Sequence, residues 1–270
     1  MTERGILANP LTDVVPVEVP LANAPLVRVI VQIKFSEVLS VESAEVVAPF
    51  QSELGGTYSV LTRELGVSAP VHFQGASPPR PMTHWRFADA ATNWQWRASL
   101  TSQFVTLEVS RYTSRGELME RLRSLFFAVQ KHVRPTLVLR VGVRYINRIT
   151  GKELKDVSEL VRPEIAGVVG TNMAAMVGLA VSETIFHLAE GRKMGARWGM
   201  IPPNVTVDPM SVEPIAEPCF LLDLDVFDEA ATAFEPEELV SRCESFAQRS
   251  YTFFRWAVTP EFLRRFGGYV

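Results

Sequence analysis

The residues with most to offer chemistry are cations on two strand-like segments. In Leu26–Phe35 (LVRVIVQIKF) strict alternation sets Val27, Val29, Val31, Ile33 and Phe35 on one side and Arg28, Ile30, Gln32 and Lys34 on the other. In Leu137–Ile149 (LVLRVGVRYINRI) the same period sets Val141, Val143, Tyr145 and Asn147 against Arg140, Gly142, Arg144, Ile146 and Arg148. If the two strands are neighbours, Arg28, Lys34, Arg140, Arg144 and Arg148 share a wet sheet face. Such a face suits a phosphate backbone or an acidic protein partner. Base-stacking aromatics are not interleaved there, because Tyr145 points the other way. A solvated face gives the same pattern, as does one paired with the acidic stretch described below. This register predicts a buried, hydrogen-bonded Asn147, with Arg144 facing away from it.

Other constellations are weaker. Asp223 and Asp225 (LLDLDVF) share one face of a predicted strand and could hold a divalent ion, although an alternating strand with a wet face looks identical. His72, His84, His132 and His187 lie more than five residues apart, and no H-E-x-x-H or C-x-x-C is present. Glu183 and His187 share a strand face but sit at i, i+4, too far apart on a strand to pair directly. Nucleophile elbows, P-loops and dinucleotide fingerprints are absent from the sequence, so no cofactor is expected. The basic, glycine-rich run from Gly191 to Gly199 (GRKMGARWG) could rest a phosphate, and a hairpin turn explains it equally.

The positioning elements follow from periodicity. Residues 1–25 carry Pro10, Pro16, Pro20 and Pro25 and read as an irregular lead-in. After the first strand, Val41–Leu54 reads as a short helix ended by Gly55-Gly56. His84–Ala88, Trp94–Leu100 and Gln103–Ser110 read as an antiparallel meander, preceded by a Pro-rich connection at Ser77–Pro81. Ser114 and Glu117 form a capping box ahead of a helix whose stripe is Leu118, Leu122, Leu125, Phe126, Val129 and Val133. After Leu137–Ile149 come a short helix at Val157–Val161 and strands at Met176–His187, Arg197–Ile201 and Phe220–Phe227, with a turn at Glu190-Gly191-Arg192. A last helix begins at Pro236, with Leu239, Cys243, Phe246, Ala247, Tyr251 and Phe254 on its stripe. The predicted fold is α+β, with antiparallel or mixed sheets covered by two long helices. The order strand, helix, strands, long helix occurs twice, an architectural pseudo-repeat over 26–135 and 136–270 that form one integrated domain.

Composition bounds the class. The chain has 270 residues, 47% hydrophobic and 21% charged, which excludes a disordered chain. Its apolar runs are only a handful of residues, so no membrane span is expected. The opening residues lack the pattern of a secretory signal, and Cys219 and Cys243 cannot build a disulfide framework, so a cytosolic location is the expectation. The net charge is −3, yet ten of the 30 acids and none of the 27 Lys and Arg lie between Trp198 and Ser241. Sign asymmetry of this kind can steer a partner or a second copy of the chain.

The segments APLVRVIVQIKF, FVTLEVSRYTS before a long helix, VGVRYINRI, CFLLDLDVF and TPEFLRRFG together resemble a sporadically distributed family of uncharacterised prokaryotic proteins. The resemblance runs from about Pro25 to Gly267, and its most specific piece is Arg144-Tyr145-Ile146-Asn147. The family carries no assigned catalytic residues, so no site transfers with it. Its patchy distribution implies a defence, toxin–antitoxin or mobile-element setting. The expected function is therefore a non-enzymatic binding or assembly protein acting through a protein partner or by self-association. The alternatives are nucleic-acid binding through the basic strand faces and a metal-dependent hydrolase built on Asp223 and Asp225.

Overall fold

Alternation becomes strand wherever one face can be buried, and in the computed structural model β1 (Leu26–Phe35) follows it closely. Val29, Val31, Ile33 and Phe35 are buried, and the residues between them are half-exposed. The structure describes residues 8–67 and 81–268. His72 and the Pro-rich connection at Ser77–Pro81, apart from Pro81 itself, lie outside them. The described residues form an α+β fold in which ten strands belong to one sheet. The other strands are β2 (Val60–Val67), β3 (Pro81–Ala88), β4 (Trp96–Leu100), β5 (Phe104–Val109), β6 (Leu137–Ile149), β7 (Ala180–His187), β8 (Lys193–Ile201), β9 (Cys219–Asp228) and β10 (Thr232–Ala233). Hydrogen bonding orders them β2-β3-β4-β5-β1-β6-β9-β8-β7, with β10 beside β6. No helix among the described residues is long and apolar enough to cross a membrane.

Contacts divide the chain into two units: residues 30–142 with 228–244, and residues 1–29, 143–227 and 245–270. In the former, α1 (Ala44–Leu54) starts at Ser43, whose side chain accepts from the Glu45 N–H, and runs through Pro49. The helix α2 (Arg115–His132) begins at the predicted N-cap, with the Glu117 N–H donating to Ser114 Oγ at 3.1 Å, while the Glu117 carboxylate accepts from Thr113 and Arg121. Phe126, on its buried stripe, meets Phe234 edge-on, and Phe234 meets Phe35 in the same way. The meander β2-β3-β4-β5 is antiparallel throughout. Trp94, read above as the start of a strand, instead lies in the turn with φ +68°, beside Asn93 at +54°, and is exposed. The reason is local: Asp89 caps the turn by accepting from the Thr92 N–H, and the chain re-enters the ladder only when the Asp89 N–H reaches the Trp96 carbonyl.

The other unit holds the short helices α3 (Gly151–Lys155), α4 (Val157–Leu160) and α5 (Pro163–Ala166), the later part of α6 (Pro236–Ala257), and α7 (Pro260–Arg265). Arg265 ties α7 to Asp156, Glu159 and its own Glu261. From α6, Arg249 donates to the carbonyls of Pro10 and Asp13, and Arg255 to that of Val17, so this part of the lead-in is held down. The strand expected from Met176 begins only at Ala180, because 167–176 coils into 3₁₀ turns. Here β7, β8 and β9 pair antiparallel, with Glu183 opposite Arg197 and Arg197 opposite Asp223. Gly199 (φ +142°) is required in this ladder, since a Cβ there would sit 1.8 Å from the Ala180 carbonyl oxygen.

The alternation read into Leu137–Ile149 fails at several points: Leu137 and Leu139 are exposed while Val138 is buried, and Ile146, placed on the wet side, is buried beside Asn147. Arg140, Val141, Gly142 and Val143 are buried in succession, so β6 is enclosed on both faces there and offers no continuous wet side.

Candidate functional site

A row of alternating charge crosses four strands of one unit. Arg144 on β6 meets Asp223 on β9; Asp223 lies opposite Arg197 on β8; Arg197 lies opposite Glu183 on β7. Arg144 grips Asp223 with a fork, Nε to Oδ1 at 2.8 Å and Nη2 to Oδ2 at 2.7 Å. Its Nη1 reaches Asp208 Oδ2 at 2.7 Å and Ser211 Oγ at 3.0 Å, both in the stretch between β8 and β9. Arg197 closes the row by donating to Glu183 Oε1 at 2.6 Å. Exposure falls inward along it, from 38% for the Glu183 side chain and 16% for Arg197 to 5% for Asp223. Burial works against the Arg144 charge, but the Asp223 carboxylate outweighs it and holds the guanidinium even more firmly protonated than usual. Burial likewise pushes the Asp208 carboxyl up, and Arg144 brings it below its ordinary value.

This arrangement decides what the sequence-derived residues can do. Asp223 has both oxygens occupied by Arg144. Asp225 shares its face, and the described residues hold no group of three or more His, Cys, Asp or Glu placed for a metal. Arg140 is 4% exposed, with its guanidinium folded over Gly142 and within 3.5 Å of Gln32 Oε1. Arg148 donates to the Glu213 carbonyl at 2.8 Å and lines a pocket with room for about one water molecule. Lys34 is half-buried, and burial followed by the Arg140 charge lowers its pKa. Arg28 is half-exposed. Asn147 is buried and donates to the Leu222 carbonyl at 3.4 Å. The pairing with acids of the 208–238 stretch, weighed above as an alternative to an open basic face, describes what happens to Arg144.

Sequence reasoning missed Arg197, Asp208 and the pairing of Glu183 with Arg197. The turn at Glu190-Gly191-Arg192 carried the signal for Arg197, since a hairpin centred there sets Glu183 opposite it. No local signal could have brought Asp208 to Arg144.

The row ends on the sheet edge. Among the described residues, β7 has β8 on one side and no strand on the other. Its inner face is backed by α6, where Phe186 stacks on Phe253 and Phe253 on Trp256. Its other face shows Val181 (40%) and Ile185 (46%) to solvent, and Val168, Met173, Met176 and Leu179 are exposed just before it. Comparison with family models, with curated proteins and with solved structures returned no match to this chain. The site therefore rests on its own geometry: an occupied ion-pair row leading to an unpaired, partly apolar strand edge.

Proposed function

We propose that this chain is a non-enzymatic binding and assembly protein, working in the cytosol through a protein partner that docks at β7. The observation that carries this is the concentration of exposed apolar side chains: six of the large ones (Val168, Met173, Met176, Leu179, Val181 and Ile185) fall between residues 168 and 185. Exposed apolar surface gathered beside an unpaired strand is the pattern of a protein-docking edge. The row Arg144–Asp223–Arg197–Glu183 supports the same reading, because its charges neutralise each other instead of converging on an open cleft. The family resemblance adds the setting, bacterial defence, toxin–antitoxin or mobile-element biology. A pseudo-repeat of the two halves belongs to this proposal too. It is supported by strand order, which runs outward from β1 as β5, β4, β3, β2 and from β6 as β9, β8, β7.

The test is a photo-cross-linking residue at Ile185, in the native host, with the same residue at Arg28 as comparison. One dominant protein adduct at Ile185 and none at Arg28 is expected; equal labelling at both sites would remove the docking edge. Nucleic-acid binding is tested by salt titration of a fluorescent duplex. The expected result is only the non-specific range of ~10⁻⁴–10⁻⁶ M at physiological salt.

A further inference from the structure

Among the described residues, the outer edge of β7 meets no strand. Its backbone polarity follows from one bond beyond the strand, where the Leu188 N–H donates to the Arg192 carbonyl at 2.9 Å. His187 lies opposite Lys193, so Leu188 and Arg192 form a hydrogen-bonded pair, and the antiparallel pattern alternates from there. Phe186, Thr184 and Ser182 turn their N–H and C=O toward β8. His187, Ile185, Glu183 and Val181 turn theirs outward. The strand is eight residues long, AVSETIFH, with no Pro and no Lys, the residues that commonly blunt such an edge.

Resting on the reading of β7 as a docking edge, we infer that its occupant is a second copy of this chain, β7 pairing antiparallel with β7 about a two-fold axis at Ile185. Outward backbone groups must meet outward backbone groups, so the axis falls on a residue of β7 and not between two; at Ser182 or Thr184 each Glu183 would face an apolar Val181 or Ile185 of the other copy, and at Phe186 little of either strand would pair. An axis at Glu183 sets two carboxylates face to face. Axes at Val181 and His187 run most of the partner out past the strand ends. At Ile185 each Glu183 faces the other copy's His187, and the two Ile185 side chains, now 46% exposed, cover each other. The row then continues across the seam as Arg197, Glu183, His187 and Lys193, so that each carboxylate lies between basic or imidazole groups of both copies. Thr184 meets Phe186 on the opposite face, the side already backed by Phe253.

Sedimentation of the whole chain tests this. The wild type should associate reversibly to twice its mass of 30.1 kDa. Ile185→Pro removes an outward N–H without touching the ladder to β8, and should be monomeric with an unchanged circular dichroism spectrum. Glu183→Lys and His187→Glu should each weaken association at least tenfold, and the double variant, which restores opposite charges in this register only, should recover it. A wild type that stays monomeric, a dimer indifferent to Ile185→Pro, or a double variant no better than the singles would each overturn self-pairing. The docking reading would outlive any of these if Ile185 still cross-links to a different protein, so the two failures are distinguishable.

Discussion

Arg144 commits donors on all three of its nitrogens to two carboxylates and a hydroxyl, and the energetic consequence is asymmetric. Removing it leaves Asp223, whose side chain is 5% exposed, without its two short hydrogen bonds and with Arg197 only at 3.9 Å. Arg144→Ala should therefore cost about 3 kcal/mol in urea denaturation, whereas Arg144→Leu with Asp223→Leu should recover most of that loss. Asp208 adds a pH signature. Its carboxyl is depressed in the folded state, so its contribution is complete above its unfolded pKa and is lost as pH falls through the lower folded value. The difference in denaturation midpoint between wild type and Asp208→Asn should be constant near neutrality and shrink in acid. Cys243 is fully buried, and burial pushes its thiol up. It should resist a disulfide reagent in the native protein and react on unfolding.

At the scale of elements, aromatic contacts and one glycine set the sensitive points. Phe126 and Phe246 are each 1% exposed, and Phe126→Ala or Phe246→Ala should lower stability by ~3–5 kcal/mol. An unchanged thermal midpoint in either would contradict the packing described for α2 or α6. Gly199→Ala should damage one hairpin selectively, since the added methyl meets the Ala180 carbonyl; amide exchange should quicken in β7 and β8 and not in the β2-to-β5 meander. These elements were largely legible beforehand, because capping at Ser114, alternation along Leu26–Phe35 and the stop at Pro135 are all local signals. The enclosure of β6 was not. Arg140 and Gly142 look wet in a period-two pattern, and only the neighbouring chain decides that both faces are covered.

Across the whole molecule, the uneven charge noted in the sequence resolves into particular partners. The acidic stretch supplies Asp208 and Asp223 to Arg144, Asp228 to Arg242 and Glu237 to Arg123. Which acid would meet which base could not be read, since all of these contacts but Asp228–Arg242 join residues more than 60 apart in sequence. The candidate site was therefore half visible: Arg144, Asp223, Glu183 and His187 were in view, and the order that joins them was not. Changing Arg140, Arg144 and Arg148 together to Glu, which leaves the fold intact if those residues face solvent, should instead unfold the protein. It would set new carboxylates beside Asp223 and Asp208. Loss of the far-ultraviolet helical signal in that variant is the expected reading.

The stretch held down by Arg144 has a consequence for proteolysis. From Gly199 to Ser241 there is no Lys or Arg, so trypsin has no bond to cut there in any conformation. A protease that cuts ahead of apolar side chains has the Ser211–Val212 bond within reach, beside the Asp208 and Ser211 anchors. Releasing the anchors, by Asp208→Asn or by acid, should speed cleavage by the second enzyme in this stretch and leave it closed to the first. The pair of digests thus reports the state of a single ion pair, with its own control included.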